Sequence, residues 1–245
     1  MPSLALRPRS GPELLDAAFH FWRENFALLF TVVAAAFLPV IALGAVEFAL
    51  PRSFESRMLS RVATAIFESL AWAAVIVVVS ERYIGHEITP SRAIGVVWAR
   101  LWTIFVANVV FWILVYFGMI LFIAPGLYFF AKYFAIVPVI VLEGHGVSAA
   151  QKRAAAISKG SRWRVLGLVG VPWLLYLFVF GGITSVVAQQ ASDITTVILT
   201  RLLIACVYPL LGILATLLYY DLRFRNEGLD LDMMMTDPPT QSAPA

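Results

Sequence analysis

The stretch "VIVLEGHGVSAAQKRAAA", residues 139–156, decides between two folds. An apolar run leads into Gly144-His145-Gly146-Val147-Ser148-Ala149, the G-x-G-x-x-A form of a dinucleotide-binding fingerprint if the run is a β-strand. Glu143 and His145 would then stand side by side, as an acid–base site requires. If the run is the end of a membrane span, the glycines shape its exit turn and a basic surface helix follows. A dinucleotide site needs a parallel sheet of further βα units and an acidic residue about 20 positions on to hold the ribose. No acidic residue occurs between Glu143 and Asp193. The membrane alternative is therefore preferred, and no cofactor is expected.

The rest of the chain agrees. Of its 245 residues 61% are hydrophobic and 13% charged, with a mean hydropathy of +0.86. Soluble domains are nearer half apolar and a quarter charged. Several segments exceed the roughly 18 apolar residues that cross a bilayer. The longest polar segments run to about 25 residues, below the roughly 40 at which a soluble domain holds itself together, so no separate catalytic domain is expected. The first apolar run begins near Phe26, too far from the start for a cleaved signal peptide. Cys206 is the only cysteine and lies in an apolar run, which excludes an intrachain disulfide and suits a packing role.

The hydrophobic pattern predicts an all-α polytopic bundle of six transmembrane helices, at about 26–50, 62–80, 102–123, 125–142, 165–187 and 197–220. Ala124-Pro125-Gly126 divides the third from the fourth as a hairpin turn. The fourth is short, roughly 27 Å at 1.5 Å per residue. Pro39 and Pro138 are expected to kink their spans. A single domain occupies 1–232, and 233–245, rich in Met, Pro, Thr and Ser, reads as a disordered tail.

Lys and Arg are distributed unevenly between the connections. One side holds Arg7, Arg9, Arg23, Arg82, Arg92 and Arg100, then Lys152, Arg153, Lys159, Arg162 and Arg164, then Arg223 and Arg225. The other side holds only Arg52, Arg57 and Arg61. The positive-inside rule puts both termini in the cytoplasm. The pI of about 9.2 then reflects topology and attraction to anionic headgroups on the cytoplasmic leaflet, and implies no nucleic-acid partner.

A unit recurs three times with unequal spacing: a capped helix at the cytoplasmic surface, a span out, a short turn and a span back. Ser10 and Glu13 fit a capping box, Thr89-Pro90 an N-cap followed by Pro at the first helical position, and Ser148 and Gln151 a second capping box. Helix 11–24 is amphipathic, with Glu13, Asp16, His20 and Arg23 opposite Leu14, Leu15, Ala18 and Trp22. Outer connections of about 11, 1 and 9 residues result from these spans. Trp22, Trp98, Trp102 and Trp163 suit an aromatic belt at the cytoplasmic interface.

Two groups of charges are candidate sites. Glu47, Glu68, Lys132 and Arg201 fall within spans, in the outer half of the bilayer, and sum to zero. Bare charges in hydrocarbon are costly, so they are expected either to pair and tie hairpins together, to snorkel, or to line a polar pocket. At the cytoplasmic surface stand Glu143, Lys152 and Arg153, and after the last span Asp221, Arg223, Arg225, Glu227, Asp230 and Asp232 alternate in sign. That tail suits either a salt-bridged stop to the helix or a partner's binding surface. His20, His86 and His145 share no metal-ligand spacing, and no metal is expected.

The segment "LYYDLRFRNEGLDLD", 218–232, resembles the C-terminal motif of a bacterial family often called the glycerophosphoryl diester phosphodiesterase membrane domain. The loop with Glu143, Ala150, Arg153 and Gly160, and the opening "LRPRSGPELLDAAFHFWRENF", are similar to the same family. Ala154 departs from it, since a Ser is common there. The resemblance implies a bacterial cytoplasmic-membrane protein. The phosphodiesterase of fused relatives belongs to a separate soluble barrel, which this chain lacks, so no catalysis is implied. The expected role is a membrane scaffold or accessory that binds lipids or a protein partner. The first alternative is a transporter or flippase-like protein using the intramembrane charges; the second is a lipid enzyme using the cytoplasmic His and Glu residues.

Overall fold

The computed structural model describes residues 9–49, 54–190 and 194–227, and every regular element among them is helical. The elements are α1 (Gly11–Glu24), α2 (Phe26–Ala49), α3 (Phe54–Ile84), α4 (Pro90–Trp98), α5 (Leu101–Leu121), α6 (Ile123–Tyr133), α7 (Ile136–Glu143), α8 (Val147–Ile157), α9 (Arg162–Val165), a π-helical turn (Leu166–Gly170), α10 (Val171–Gln190) and α11 (Ile194–Glu227). Among the described residues six stretches are long and apolar enough to cross a membrane: Phe26–Leu43, Met58–Ile84, Leu101–Leu121, Ile123–Glu143, Arg162–Ile183 and Arg201–Glu227.

The core is built around α3 and α11. Leu70 and the run Ala73–Val79 are buried on every side of α3, and Ile213–Leu218 are similarly enclosed in α11. Gly212 makes the close approach possible, because a Cβ there would meet Val75 Cγ1 at 2.6 Å. Against this pair α2 lays Leu29, Val32, Val33, Ala36, Phe37 and Val40, a stripe of helical period. Neighbouring α5 packs along α6, where Gly118 and Gly126 bring the two backbones together. The loosest span is α10: only 17% of its apolar window is buried, and Leu174, Leu175, Phe178 and Val179 face outward.

Several boundaries differ from the sequence-based expectations, each for a local reason. The third and fourth spans part at Phe122, not at 124–126; Pro125 lies in the first turn of α6, where its missing N–H costs nothing. The fourth span is two helices. Pro138 cannot bond the carbonyl of residue 134, and its ring crowds that carbonyl, so the chain breaks between Tyr133 and Ile136. The buried Ser158 hydroxyl donates to the Lys132 carbonyl (3.0 Å) beside the break. Pro172 has the same defect, and here the chain answers with the π turn, in which the Val171 N–H reaches back to Leu166 O. The expected kink at Pro39 does not end α2, which runs through it. Of the residues expected in the first outer connection, 54–61 are helical, since no breaker separates them from the span.

The capping expectations divide. Ser10 and Glu13 form the reciprocal capping box, and Thr89 accepts from the Arg92 N–H before Pro90. The box expected at Ser148 and Gln151 is absent: α8 starts at Val147 with Gly146 as N-cap. Gly144, at φ +76°, closes α7 in the left-handed conformation that glycine adopts without a Cβ penalty. The element before Gly144 is thus a helix, and the fingerprint of a strand-to-helix phosphate loop does not form. Helix α8 then folds back on α7, burying Ala150, Ala154 and Ile157.

Candidate functional site

Two charged sites emerge, unlike in design. At the arginine-rich end, the end of α11 binds the connectors to the bundle. Asp221, with its side chain 2% exposed, accepts from the Arg9 backbone N–H (2.8 Å), from Arg164 Nε and Nη2 (3.1 and 3.0 Å) and from Arg225 Nε (3.0 Å). Arg164 and Arg225 also donate to the Arg9 carbonyl. One carboxylate therefore joins the chain before α1, the start of α9 and the last turns of α11.

A second network lies beside it. Glu143 accepts from Arg153 Nε (2.8 Å) and the Tyr219 hydroxyl (2.6 Å), with His145 Nε2 at 3.3 Å and Arg223 Nη1 at 3.9 Å. Arg153 also donates to Glu227 (3.0 Å), which in turn accepts from Arg223 Nε (3.2 Å). The hydrogen bond to Glu227, ahead of the partial burial that opposes it, holds the Arg153 guanidinium protonated above the ordinary arginine range. Glu143 and His145 do meet, but the carboxylate is committed to the cations and the phenol around it. Lys152 has no ion pair among the described residues, and Asp230 lies outside them.

Within the spans the structure brings together two of the four expected charges. Arg201 Nη1 stands 3.4 Å from Glu68 Oε1, tying α11 to α3. Lys132 is elsewhere, its ammonium over the rings of Tyr133 (5.0 Å) and Tyr128 (5.7 Å) and its carbonyl held by Ser158. That bond from the connector after α8 places Lys132 on the arginine-rich side of the bundle. The side chain of Glu47 is outside the described ones.

Glu68 lines a cavity of about 610 Å³ and, among the described residues, is the only charged one in its wall. Its side chain is 45% exposed, although it sits within an apolar span, because it opens into this chamber. The wall is aromatic. Trp173 packs on Trp112 (ring centroids 5.5 Å, edge-on) and near Trp72 (6.2 Å); Tyr208 lies 5.7 Å from Trp72 and 6.1 Å from Tyr176. Asn108 donates to Ser69 Oγ (3.1 Å), and Ser69 to the Ala65 carbonyl (2.8 Å), placing a short polar track beside Glu68. The π turn sets the phase of α10: Val169 lies in the turn, and Trp173, Tyr176 and Leu177 after it all face the chamber. The exposed rim consists of Val109, Ile113 and Tyr116 on α5 and Leu177 on α10, so the chamber opens between these helices.

The aromatic wall escaped the sequence-based expectations, which kept tryptophan for the interface. Its signal was position: Trp72, Trp112 and Trp173 fall inside spans, away from the ends where belts form. Tyr219, fully buried against Glu143, was also missed. Among the described residues no group of three or more His, Cys, Asp and Glu is placed to hold a metal ion.

Fold and site together define an all-helical protein with six helices suited to cross a membrane, as an integral membrane protein requires, around an aromatic chamber holding one carboxylate. No family model, curated protein or solved structure matches the chain.

Proposed function

We propose that this chain is a non-catalytic, multi-pass protein of the bacterial cytoplasmic membrane that binds a membrane lipid in its chamber and serves as an accessory or scaffold. The observation that supports this reading is the opening of the 610 Å³ cavity between α5 and α10, through the exposed side chains of Val109, Ile113, Tyr116 and Leu177. A solute from water would meet a polar mouth; a lipid meets this one. Three helical hairpins with both termini cytoplasmic fit the concentration of arginines at one end, where they would meet anionic headgroups. The likeness of residues 218–232 to the glycerophosphoryl diester phosphodiesterase membrane domain supports the same cellular setting, and the ion-paired end of α11 is the surface we assign to a protein partner.

Replacing Ile113, which is 59% exposed on the rim, by Trp narrows the mouth without touching the charges. Native mass spectrometry after gentle extraction is expected to show a lipid retained by the natural chain and lost from Ile113→Trp. Equal retention by both refutes lipid entry at this mouth. A flippase-like role is the second reading, favoured by the depth of the chamber from Glu68 to Ala215. Lipid flux in liposomes that disappears in Glu68→Gln would establish it.

A further inference from the structure

The chamber's chemistry selects among lipids, provided that the chamber binds a lipid as proposed. Three features define the ligand. The wall contains a single carboxylate, Glu68, and the only cation beside it among the described residues is Arg201, which meets it through one 3.4 Å contact and is not itself part of the wall. The side chains around that carboxylate present π faces and hydrogen-bonding groups with nothing to bond. The indole N–H groups of Trp72, Trp112 and Trp173 and the Tyr176 hydroxyl have no hydrogen-bond partner among the described residues. None of these atoms is fully enclosed, so each is open to a ligand's acceptor. The rim, finally, is mostly apolar, with the Tyr116 hydroxyl as its one polar group among the described residues.

Electroneutrality then selects the headgroup. Glu68 and Arg201 cancel, so a ligand of net charge would leave one charge uncompensated in hydrocarbon, which is strongly unfavourable. An anionic headgroup could take Arg201 only by stranding Glu68; a simple cation would do the reverse. A zwitterion can enter the pair and leave every charge matched. Carboxylate with indole and phenol faces is the combination that holds an ammonium, through charge and the ring quadrupoles together. The free indole N–H groups are donors suited to phosphate oxygens, and Arg201 behind Glu68 supplies the balancing positive charge.

We infer that the chamber takes a zwitterionic phospholipid headgroup, its ammonium held by Glu68 and the aromatic wall, its phosphate by the unpaired indole N–H groups of that wall with the charge balanced by Arg201 behind Glu68, and its acyl chains leaving between α5 and α10. A lipid is favoured over free phosphoethanolamine because the mouth between those helices is mostly apolar.

The test uses the full chain, purified in a mild detergent and titrated with dioleoyl phosphatidylethanolamine, dioleoyl phosphatidylglycerol and soluble O-phosphoethanolamine, with bound lipid read by native mass spectrometry. Phosphatidylethanolamine is expected to bind at least about tenfold more tightly than phosphatidylglycerol, the scale of one matched charge in an aromatic cage. Glu68→Gln should abolish that preference. Because it strands Arg201 and could unfold the protein, the neutral double variant Glu68→Gln with Arg201→Gln is made alongside, and it should fold yet bind the two lipids alike. Equal affinity of the natural chain for both lipids overturns the headgroup assignment while leaving lipid binding intact. Preference that persists in the double variant overturns it as well. Saturable binding of O-phosphoethanolamine as tight as that of the lipid overturns the lipid source. Saturable binding of neither lipid refutes lipid binding itself.

Discussion

Asp221→Asn is the most informative perturbation of the fold, because one atom change tests how three segments are held. The side chain is 2% exposed and accepts four N–H groups, of which three belong to guanidinium ions. An asparagine keeps one oxygen and turns an NH2 toward donors at the other position, so either the Arg9 amide or the arginines lose their acceptor. Hydrogen bonds to charged groups contribute about 1.5–3 kcal/mol each. Breaking a buried ion pair costs about 3–5 kcal/mol. Some of the loss is recovered, because Arg164 and Arg225 are 24% and 36% exposed and can turn partly to water. The expected net destabilisation is about 3 kcal/mol, read by SDS titration in detergent micelles with tryptophan fluorescence. Arg164→Gln should cost about 2 kcal/mol, since it removes two of the four bonds. Arg225→Gln, one turn along the same helix and more exposed, should cost under about 1 kcal/mol. If Asp221→Asn lies within about 1 kcal/mol of the natural chain, or Arg225→Gln matches Arg164→Gln, the carboxylate is not what binds these segments.

Three further outcomes are expected. Gly118→Ala sets a Cβ 2.7 Å from the Gly126 amide nitrogen and 2.8 Å from its Cα, backbone atoms that cannot turn aside, and should destabilise by about 1–3 kcal/mol. Gly95→Ala on α4, with nothing within 4 Å, should instead stabilise by about 0.5–1 kcal/mol, and the same unfolding titration of both variants tests the contrast. Ser158→Ala strips the Lys132 carbonyl of its donor beside the break before α7 and should cost about 1–3 kcal/mol, seen also as faster amide exchange around residues 133–136. In a double-mutant cycle, Glu68→Gln and Arg201→Gln should each cost about 2–3 kcal/mol, and the two together less than their sum; strict additivity would show that the two charges do not interact.

The spans were legible because length and apolar content alone define them, and both survive any arrangement of the helices. How the spans pack was not. Residues 173–178 of α10 read Trp-Leu-Leu-Tyr-Leu-Phe, apolar on every side, so no stripe says which face turns inward. Only the structure separates Trp173, Tyr176 and Leu177 at the chamber from Leu174, Leu175 and Phe178 facing outward. The proline effects were half legible. A break near Pro138 was foreseeable from its missing N–H, but its repair by Ser158, 20 residues on, and the π turn before Pro172 depend on tertiary context. The same limit applies to charge. Alternating signs after the last span announced a salt-bridged end, yet Asp221 with Arg164 and Glu143 with Tyr219 are pairs separated by 57 and 76 positions, which no local pattern encodes.

The two charged sites differ in a way that bears on what moves. Asp221 and Glu143 are each surrounded by several donors, and between them they fasten α8, α9 and α11 into one end of the bundle. Among the described residues Glu68 has a single ion-pair contact, and it faces a void. Because α9, the π turn and α10 form one uninterrupted helix, Arg164 anchors that helix at its start, while no described side chain from Val171 to Ile183 is buried. A helix held at one end and lightly packed along the other opens there first, since local opening follows the density of buried contacts. The wall of the chamber that α10 supplies is therefore the part of the molecule able to yield to a ligand. Stiffening the anchor leaves this property intact, whereas filling the contact between Trp112 and Trp173 would remove it. The Asp221 variants should accordingly lower stability without altering lipid selectivity, whereas the rim variant Ile113→Trp should lose lipid retention with little change in stability. That separation holds only if the clasp at Arg164 and the wall from Trp173 to Leu177, about three turns further along the same helix, act independently.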